Sequence, residues 1–556
     1  MKRYILILAA FALALSSCSL EEHPKYFTNS EFFYKTEAQC TAAVKGCYTP
    51  INSIHHANYM IAIEGCTDIW YSTSSTVDSA LEVSPAKAQF ANTMWPNCYK
   101  GIMYCNEVID CIDATDAADL TEASRNKLIA EAKVLRAYYY YMLTCFFGDV
   151  PFYTNRLSSI ADMEAVRLLP RRPANEIRQI LYEDLTEAQN WLPQQRTNKD
   201  PENRAGAAFG YMLMAKFMIW NENWEECLIP LKKLEELYGD FTEANFPLEQ
   251  IMWRYKNTDE SIFEVQHEYS FEGIKYYQNM ACIMMPPHNG DGIFDKVPLE
   301  GYGTTMPGWS SLRANNVYAI FRPAACKEGD TATGYKEKSS EMNSIFRPVP
   351  LTYSTKYFQS QGNYYTEIDS TAVRTGMKDG VVIDRRVFIK LGWGNLETFQ
   401  AFDFVHQWGV PWPGPQFWCP NITNTYDSNN YRIFRYADAI LMLAECYCNL
   451  EDDVNAIYYL NKIRNRAGVG DYPTFTGFED LLVELRAERA RELGGELQRK
   501  YDLVRWGIWY DQTYKCTKNG TMKANMRPCH RYYPIPDVEC SLSKGALSNP
   551  EYDEYY

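Results

Sequence analysis

YRIFRYADAILMLAECYCNLEDDVNAIYYLNKIRNRAG, from Tyr431 to Gly468, reads as a helix, a tight turn and a second helix. Phe434, Ala437, Leu441, Ala444 and Cys448 recur at steps of three and four, which keeps one apolar stripe facing a core. Val454, Ile457, Leu460 and Ile463 repeat the pattern behind Asp452 or Asp453, either of which can cap the second helix. So short a turn makes the pair antiparallel. Leu443, Ala444, Tyr447, Ala456, Leu460 and Ile463 fall on the large and small positions of a tetratricopeptide-type pair. One such unit cannot bury its own face, so the chain must supply others.

It does. Met214, Ala215, Met218, Cys227, Leu231 and Leu234 repeat the same pattern, with Trp224 opening the second helix. Ile177, Ile180, Leu181, Leu185 and Ala188 predict an amphipathic helix over 173–192, a partner for the long apolar run from Asn126 that Gly148 and Pro151 end. Ahead of these, Thr36 can cap a helix through Ala42, Val44 and Tyr48. A helix over about 86–112 carries Trp95, Tyr99, Ile102, Asn106 and Ile109 at helical spacing, so Trp95 reads as core. Between them Thr67, Asp68, Trp70, Tyr71 and a Ser/Thr run to Thr76 read as loop. After Asp259 the run SIFEVQHE alternates like a strand. From about 270 to 430 helical periodicity fades into Gly, Pro, Asn and aromatics. Loops of this length are usually functional or disordered, and the aromatics argue against disorder.

RYADAILMLAE, LNKIRNRAG, ERARELGGELQRKYDLVRWG and the late YYPIP with SNPEY stand in the order of the C-terminal signature of the SusD/RagB family, which this chain resembles. EAKVLRAYYYYMLTCFFGDVPF, from Glu131, is similar to the N-terminal half of the same family. The fold this implies is mainly α: a tetratricopeptide-like scaffold with a long loop-rich insertion and minor β pieces. It divides the chain into a signal peptide over 1–17, a lipidated tether over 18–30 and a helical region over 31–265. An aromatic insertion forming much of the ligand face follows over 266–430, then the signature region over 431–556.

The start of the chain decides the compartment. Lys2 and Arg3 precede an apolar run from Ile5 to Leu15, far short of the roughly 20 residues a spanning helix needs. Leu15-Ser16-Ser17-Cys18 is the pattern of a bacterial lipobox, so Cys18 is expected to be acylated with fatty acid such as palmitate. Glu21 and Glu22 resemble the surface-export signal of lipoproteins in the phylum where that family occurs. The net charge of −15 disfavours nucleic acid. With 42 Tyr, 13 Trp and 26 Phe the chain carries more aromatic surface than a core of its size usually requires, and Tyr and Trp suit platforms that stack on flat ligands. Of its 17 cysteines, those past Cys18 include several inside helical patterns, and no CxxC occurs. Mostly buried free thiols are expected, with one or two disulfides left unassigned.

Chemistry has few footholds. His267-Glu268 lacks the second His of a zinc helix. HNGDGIFD offers Asn289, Asp291 and Asp295 to a calcium ion but lacks the bidentate Glu, so no cofactor is expected beyond that one candidate metal site. Gly301-Tyr-Gly303 and Gly392-Trp-Gly394 do not complete GxGxxG and read as turns, and nucleophile elbows and P-loops are absent. ERARELGGELQRK alternates its signs, as a salt-bridged helix face does and a basic patch does not.

The resemblance implies a non-catalytic outer-membrane lipoprotein, facing the exterior, that captures glycan for a TonB-dependent SusC-like transporter. Capture of peptide or another nutrient, as by RagB-type relatives, is the alternative within binding; a surface glycoside hydrolase is the alternative of another class. Family sites lie where the loop after the first helix meets the insertion. In this chain those places offer Asp68, Trp70 and Tyr71, then Tyr276, Tyr277, Tyr302 and Trp309. Trp412 and Trp418 are expected to brace the return to the scaffold.

Overall fold

The computed structural model of the chain describes residues 33–268, 279–284, 308–314, four short strands between 365 and 402, and residues 425–467, 471–472 and 478–556, isolated positions excepted. The chain enters through α1 (Glu37–Gly46), α2 (Thr49–Ile54) and α3 (Ala57–Glu64), and Thr36 caps α1 by accepting from the Gln39 N–H at 3.2 Å. A short strand β1 (Trp70–Ser72) precedes the long helices α4 (Ala91–Ala114) and α5 (Glu122–Phe147). A surface helix α6 (Ile160–Arg167) follows, then α7 (Ala174–Ala188), α8 (Ala207–Trp220) and α9 (Trp224–Tyr238). β2 (Ser261–Val265) leads into the insertion, where α10 (Met280–Met284) and β3 (Leu312–Ala314) are described. The chain returns as β4 (Tyr431–Arg435), α11 (Tyr436–Asn449) and α12 (Asp453–Arg466). It ends with α13 (Phe478–Leu493), α14 (Arg499–Arg505), α15 (Trp509–Cys516), α16 (Gly520–Asn525) and α17 (Asp537–Leu542).

Each long helix packs on the next: α4 on α5, α5 on α7, α7 on α8, α8 on α9, α9 on α11, and α11 on both α12 and α13. This is the helical repeat stack expected from the sequence, with the insertion between α9 and α11 spliced out. The splice is made by β2 and β4, which pair antiparallel with Ser261 opposite Arg435 and Val265 opposite Tyr431. Residues 431–435 therefore form a strand, correcting the helical reading of Phe434. All five residues of both strands are buried, so the alternation of SIFEV hides no solvent face. Its polar rung is instead ion-paired inside: Glu264 accepts from Arg432 at 3.4 Å and from Asn430 at 2.9 Å. Val454, read as part of an apolar stripe, is exposed on α12. Asp452 is the cap there, accepting from the Asn455 N–H at 3.1 Å.

α5 is buried on every side along Tyr138–Phe147, and its tyrosines satisfy their hydroxyls internally. Tyr139 donates to the Cys47 carbonyl at 2.6 Å and Tyr140 to the Tyr153 carbonyl at 2.8 Å. Gly101 of α4 lets the Tyr139 ring lie against its backbone; a Cβ there would stand 2.2 Å from the ring. Gly148, at φ 74°, ends the helix. The fourteen cysteines among the described residues are free thiols, mostly buried, so no expected disulfide lies among them.

The charged run of α13 and α14 is salt-bridged as read, but in the interior. Arg435 donates from Nε to Glu496 and from Nη1 to Glu260 and Glu492, each at 2.6 Å, and Arg466 reaches the same Glu260 and Glu492. A second cluster joins Lys216 to Asp438 at 2.6 Å, Arg489 to Asp438 and Asp502, and Arg505 to Glu445. Burial alone would raise the Glu260 carboxyl, yet the Arg466 and Arg435 guanidiniums outweigh it and hold it below its usual value.

Three histidines are buried neutral. Burial lowers His55 to about 3, His267 to about 4 and His530 to about 4, with Lys256 adding to the effect at His267 and Lys500 at His530. The unfolded chain takes up these protons near pH 6.5 and the folded chain only near pH 3 to 4, so folding stability falls with pH across that window. Thermal melts at stepped pH are expected to show the midpoint dropping steadily from pH 7 to pH 4. Below that, protonation of Glu260 and Glu445, both held low, removes the ion-pair contribution as well. A flat profile over pH 7 to 4 would contradict the neutral burial of these rings.

Candidate ligand-binding site

The loop after α3 and the insertion do meet. β1 pairs antiparallel with β3, Trp70 opposite Ala314, Tyr71 opposite Arg313 and Ser72 opposite Leu312. The Thr73 N–H extends the ladder to the Ser311 carbonyl at 2.8 Å. α10 supports β3 from behind, with its Cys282 and Ile283 carbonyls accepting from the N–H groups of Trp309 at 2.7 Å and Ser311 at 2.9 Å. α10 is tied in turn to the returning chain, where Asp427 accepts from the Ala281 N–H at 3.0 Å. The C-terminal helices brace the other side: Asn519 donates to the Ser72 carbonyl at 2.8 Å and Trp509 to the Cys66 carbonyl at 2.8 Å. Segments far apart in sequence thus fix one short ribbon.

Strand alternation sorts the expected contacts. Trp70 and Ser72 face inward and Tyr71 is half-buried. Trp70 is only 3% exposed, which removes it as a stacking surface and makes it a core residue. Asp68 is also withdrawn from any ligand, because Arg499 grips both its oxygens, Nε to Oδ1 at 2.8 Å and Nη2 to Oδ2 at 2.7 Å, inside the fold. Trp309, by contrast, is 46% exposed. Tyr71 and Trp309 remain as the described aromatics that reach solvent on this ribbon. Tyr276, Tyr277, Tyr302, Trp412 and Trp418, and the calcium candidates Asn289, Asp291 and Asp295, lie outside the described residues. Trp95 is core, as read.

The chemistry beneath the ribbon is that of a support. Burial pushes the Asp78 carboxyl and the Cys66 thiol up, and desolvation of the half-buried Cys516, near Asp68, pushes its thiol up to about 12. Thiols raised in this way stay protonated at neutral pH and are poor nucleophiles there. Among the described residues no cluster of three metal-binding side chains occurs, and no helix is long and apolar enough to cross a membrane.

A cleft of about 400 Å³ opens where β2 leaves the scaffold, lined by Tyr48, Asn52, Asn203, Arg204, Phe263 and Gln266. Its charges are paired, Lys45 with Glu202 at 2.7 Å and Arg204 with Glu131 at 2.6 Å. Sequence reasoning did not single it out, because its walls come from three segments with no shared motif.

Two family models match the chain and together cover more than half of it: the SusD family over residues 420–552, and one described as starch-binding associating with outer membrane over residues 30–219. A SusD-like protein of Formosa agariphila is 26% identical over 98% of both chains, and one of Bacteroides ovatus is 22% identical over 91% of this chain and 83% of its own. Among solved structures, a SusD-like protein of Bacteroides fragilis superposes with a TM-score of 0.66 at 21% identity, covering 92% of this chain and 96% of that one. Surface glycan-binding protein A of Bacteroides thetaiotaomicron, solved in complex with laminarihexaose, gives 0.62 at 18% identity over 93% of this chain and 100% of that one. These likenesses extend over the stack, the spliced insertion and the C-terminal helices alike, and the chain belongs to the SusD/RagB family.

Proposed function

We propose that this chain is a non-catalytic, lipid-anchored outer-membrane protein that captures glycan at the cell surface and delivers it to a TonB-dependent SusC-like transporter. The observation that carries the ligand side is the β1/β3 ribbon, which holds Tyr71 and Trp309 on a rigid base where loop and insertion meet. The names of structural relatives that bind laminarin support the ligand class. The description of the N-terminal family model supports the outer membrane. Residues 266–430, with Tyr276 and Tyr302 among them, supply the remainder of the ligand face in this reading.

Tyr71→Ala and Trp309→Ala are the variants of choice. Each removes a stacking ring worth roughly 0.5–1.5 kcal/mol, so each is expected to weaken oligosaccharide binding by about three- to tenfold while melting as the parent does. Trp70→Ala, a deletion of a buried ring, is expected to cost roughly 3–5 kcal/mol of stability instead. Calorimetric titration with an oligosaccharide panel, beside an assay for released reducing ends, reads both points. Parent-like binding by both surface variants sinks the platform, and release of product sinks the non-catalytic reading.

A further inference from the structure

The cleft at the root of β2 is a cavity apart from the β1/β3 ribbon. Three segments wall it: the α1–α2 junction with Tyr48 and Asn52, the turn ahead of α8 with Asn203 and Arg204, and the end of β2 with Phe263 and Gln266. It shares no lining residue with the ribbon. At about 400 Å³ it lies within the roughly 300–1,000 Å³ typical of small-ligand sites.

Its walls are held from behind. Glu131 accepts from Arg204, Nε at 2.9 Å and Nη2 at 2.6 Å, and from the Tyr48 hydroxyl at 2.6 Å. That hydroxyl accepts in turn from the Ala205 N–H at 2.8 Å. Phe263 stacks on Phe209 with ring centroids 4.1 Å apart, and its centroid is 6.3 Å from that of Tyr48. Gln266 exchanges two bonds with Asn257, at 2.8 and 2.9 Å, and accepts a third from Asn430 at 2.9 Å. Segments far apart in sequence thus fix the cavity, so it is preformed and a ligand need not order it. Two polar side chains are left over. The amides of Asn52 and Asn203 have no bonding partner among the described residues, and both residues are half-buried on the lining.

The ligand class follows from these groups. Lys45 already faces Glu202 and Arg204 faces Glu131, so a charged ligand would have to break an ion pair to be held. A neutral one does not. Each free amide offers a donor and an acceptor side by side, which matches adjacent hydroxyls. Ile51, Phe263 and Val265 give the same cavity an apolar side on which the C–H face of a sugar ring can rest. We propose that this cleft is a second saccharide site, taking a neutral mono- or disaccharide between the two amides and the Phe263 wall. It rests on the glycan reading for the ligand class and adds a location to it.

Hydrogen-exchange mass spectrometry of the full chain tests this with glucose, galactose, mannose, cellobiose and laminaribiose, and with trialanine as the competing class. Asn203→Gly removes one amide at a backbone position, φ 53°, that glycine accepts, and Asn52→Ala removes the other. At least one sugar is expected to slow exchange over 45–54 and 200–206. The double variant, melting as the parent does, is expected to bind that sugar there about tenfold more weakly, with the response over 70–73 unchanged. Protection over 70–73 alone overturns the cleft and leaves the glycan reading standing. If no sugar protects either place, both fall. Protection of the cleft by trialanine and by no sugar overturns the ligand class, and protection that persists undiminished in the double variant overturns the site.

Discussion

Arg435→Ala is expected to abolish cooperative folding at growth temperature. The guanidinium is about 1% exposed and is shared by Glu260, Glu492 and Glu496, while its Nη2 also donates to the Glu492 carbonyl at 2.7 Å. Removing one partner of a buried ion pair typically costs about 3–5 kcal/mol, since the carboxylates left behind lose their counter-charge in a poorly solvated interior. Three carboxylates share Arg435, and although Glu260 and Glu492 keep Arg466 as a second cation, Glu496 loses its guanidinium outright, so the cost lies within that range, against roughly 5–15 kcal/mol for a whole domain. Position compounds the loss. Arg435 ends β4 and begins α11, so it stands where the insertion is spliced out and α9 is joined to α11. Arg435→Lys is expected to recover part of the stability, because one ammonium cannot reproduce the planar fork that meets three acids. Urea titration of the three proteins reads this directly. An alanine variant within about 1 kcal/mol of the parent would mean that the cluster contributes little.

The same residue marks the limit of what could be read from the sequence. Helix ends were legible wherever a local signal sets them: Thr36, Asp452 and Gly148 each act within a few residues of themselves. Tyr431–Arg435 was not legible as a strand, because Phe434, Ala437 and Leu441 satisfy a helical stripe equally well and only pairing with β2 decides against it. The alternating signs of ERARELGGELQRK announced ion pairs correctly. Their burial depends on α11 and β4 packing over them, which no local pattern records. The site divides on the same line. That the loop at 67–73 meets the insertion followed from the family resemblance, and the ribbon bears it out. That Asp68 is consumed by Arg499, 431 positions away, and that Trp70 turns inward while Tyr71 is half-buried, are facts of strand register and tertiary contact.

Cys18→Ala is expected to release the protein from the membrane outright, a change of state rather than of degree. The apolar run from Ile5 to Leu15 is too short to span a bilayer, and no helix of the described residues is long and apolar enough to do so. The chain carries −15 overall, so attraction to anionic lipid cannot hold it. In the proposed reading membrane attachment is by acyl chains on Cys18, each buried methylene contributing about 0.8 kcal/mol. Without the thiol that contribution is absent, and the exported chain is expected in the soluble periplasmic fraction, out of reach of protease added to whole cells. Fractionation and protease shaving of parent and variant measure both quantities. A Cys18→Ala protein that still sediments with membranes would show that the Leu15-Ser16-Ser17-Cys18 motif is not the anchor.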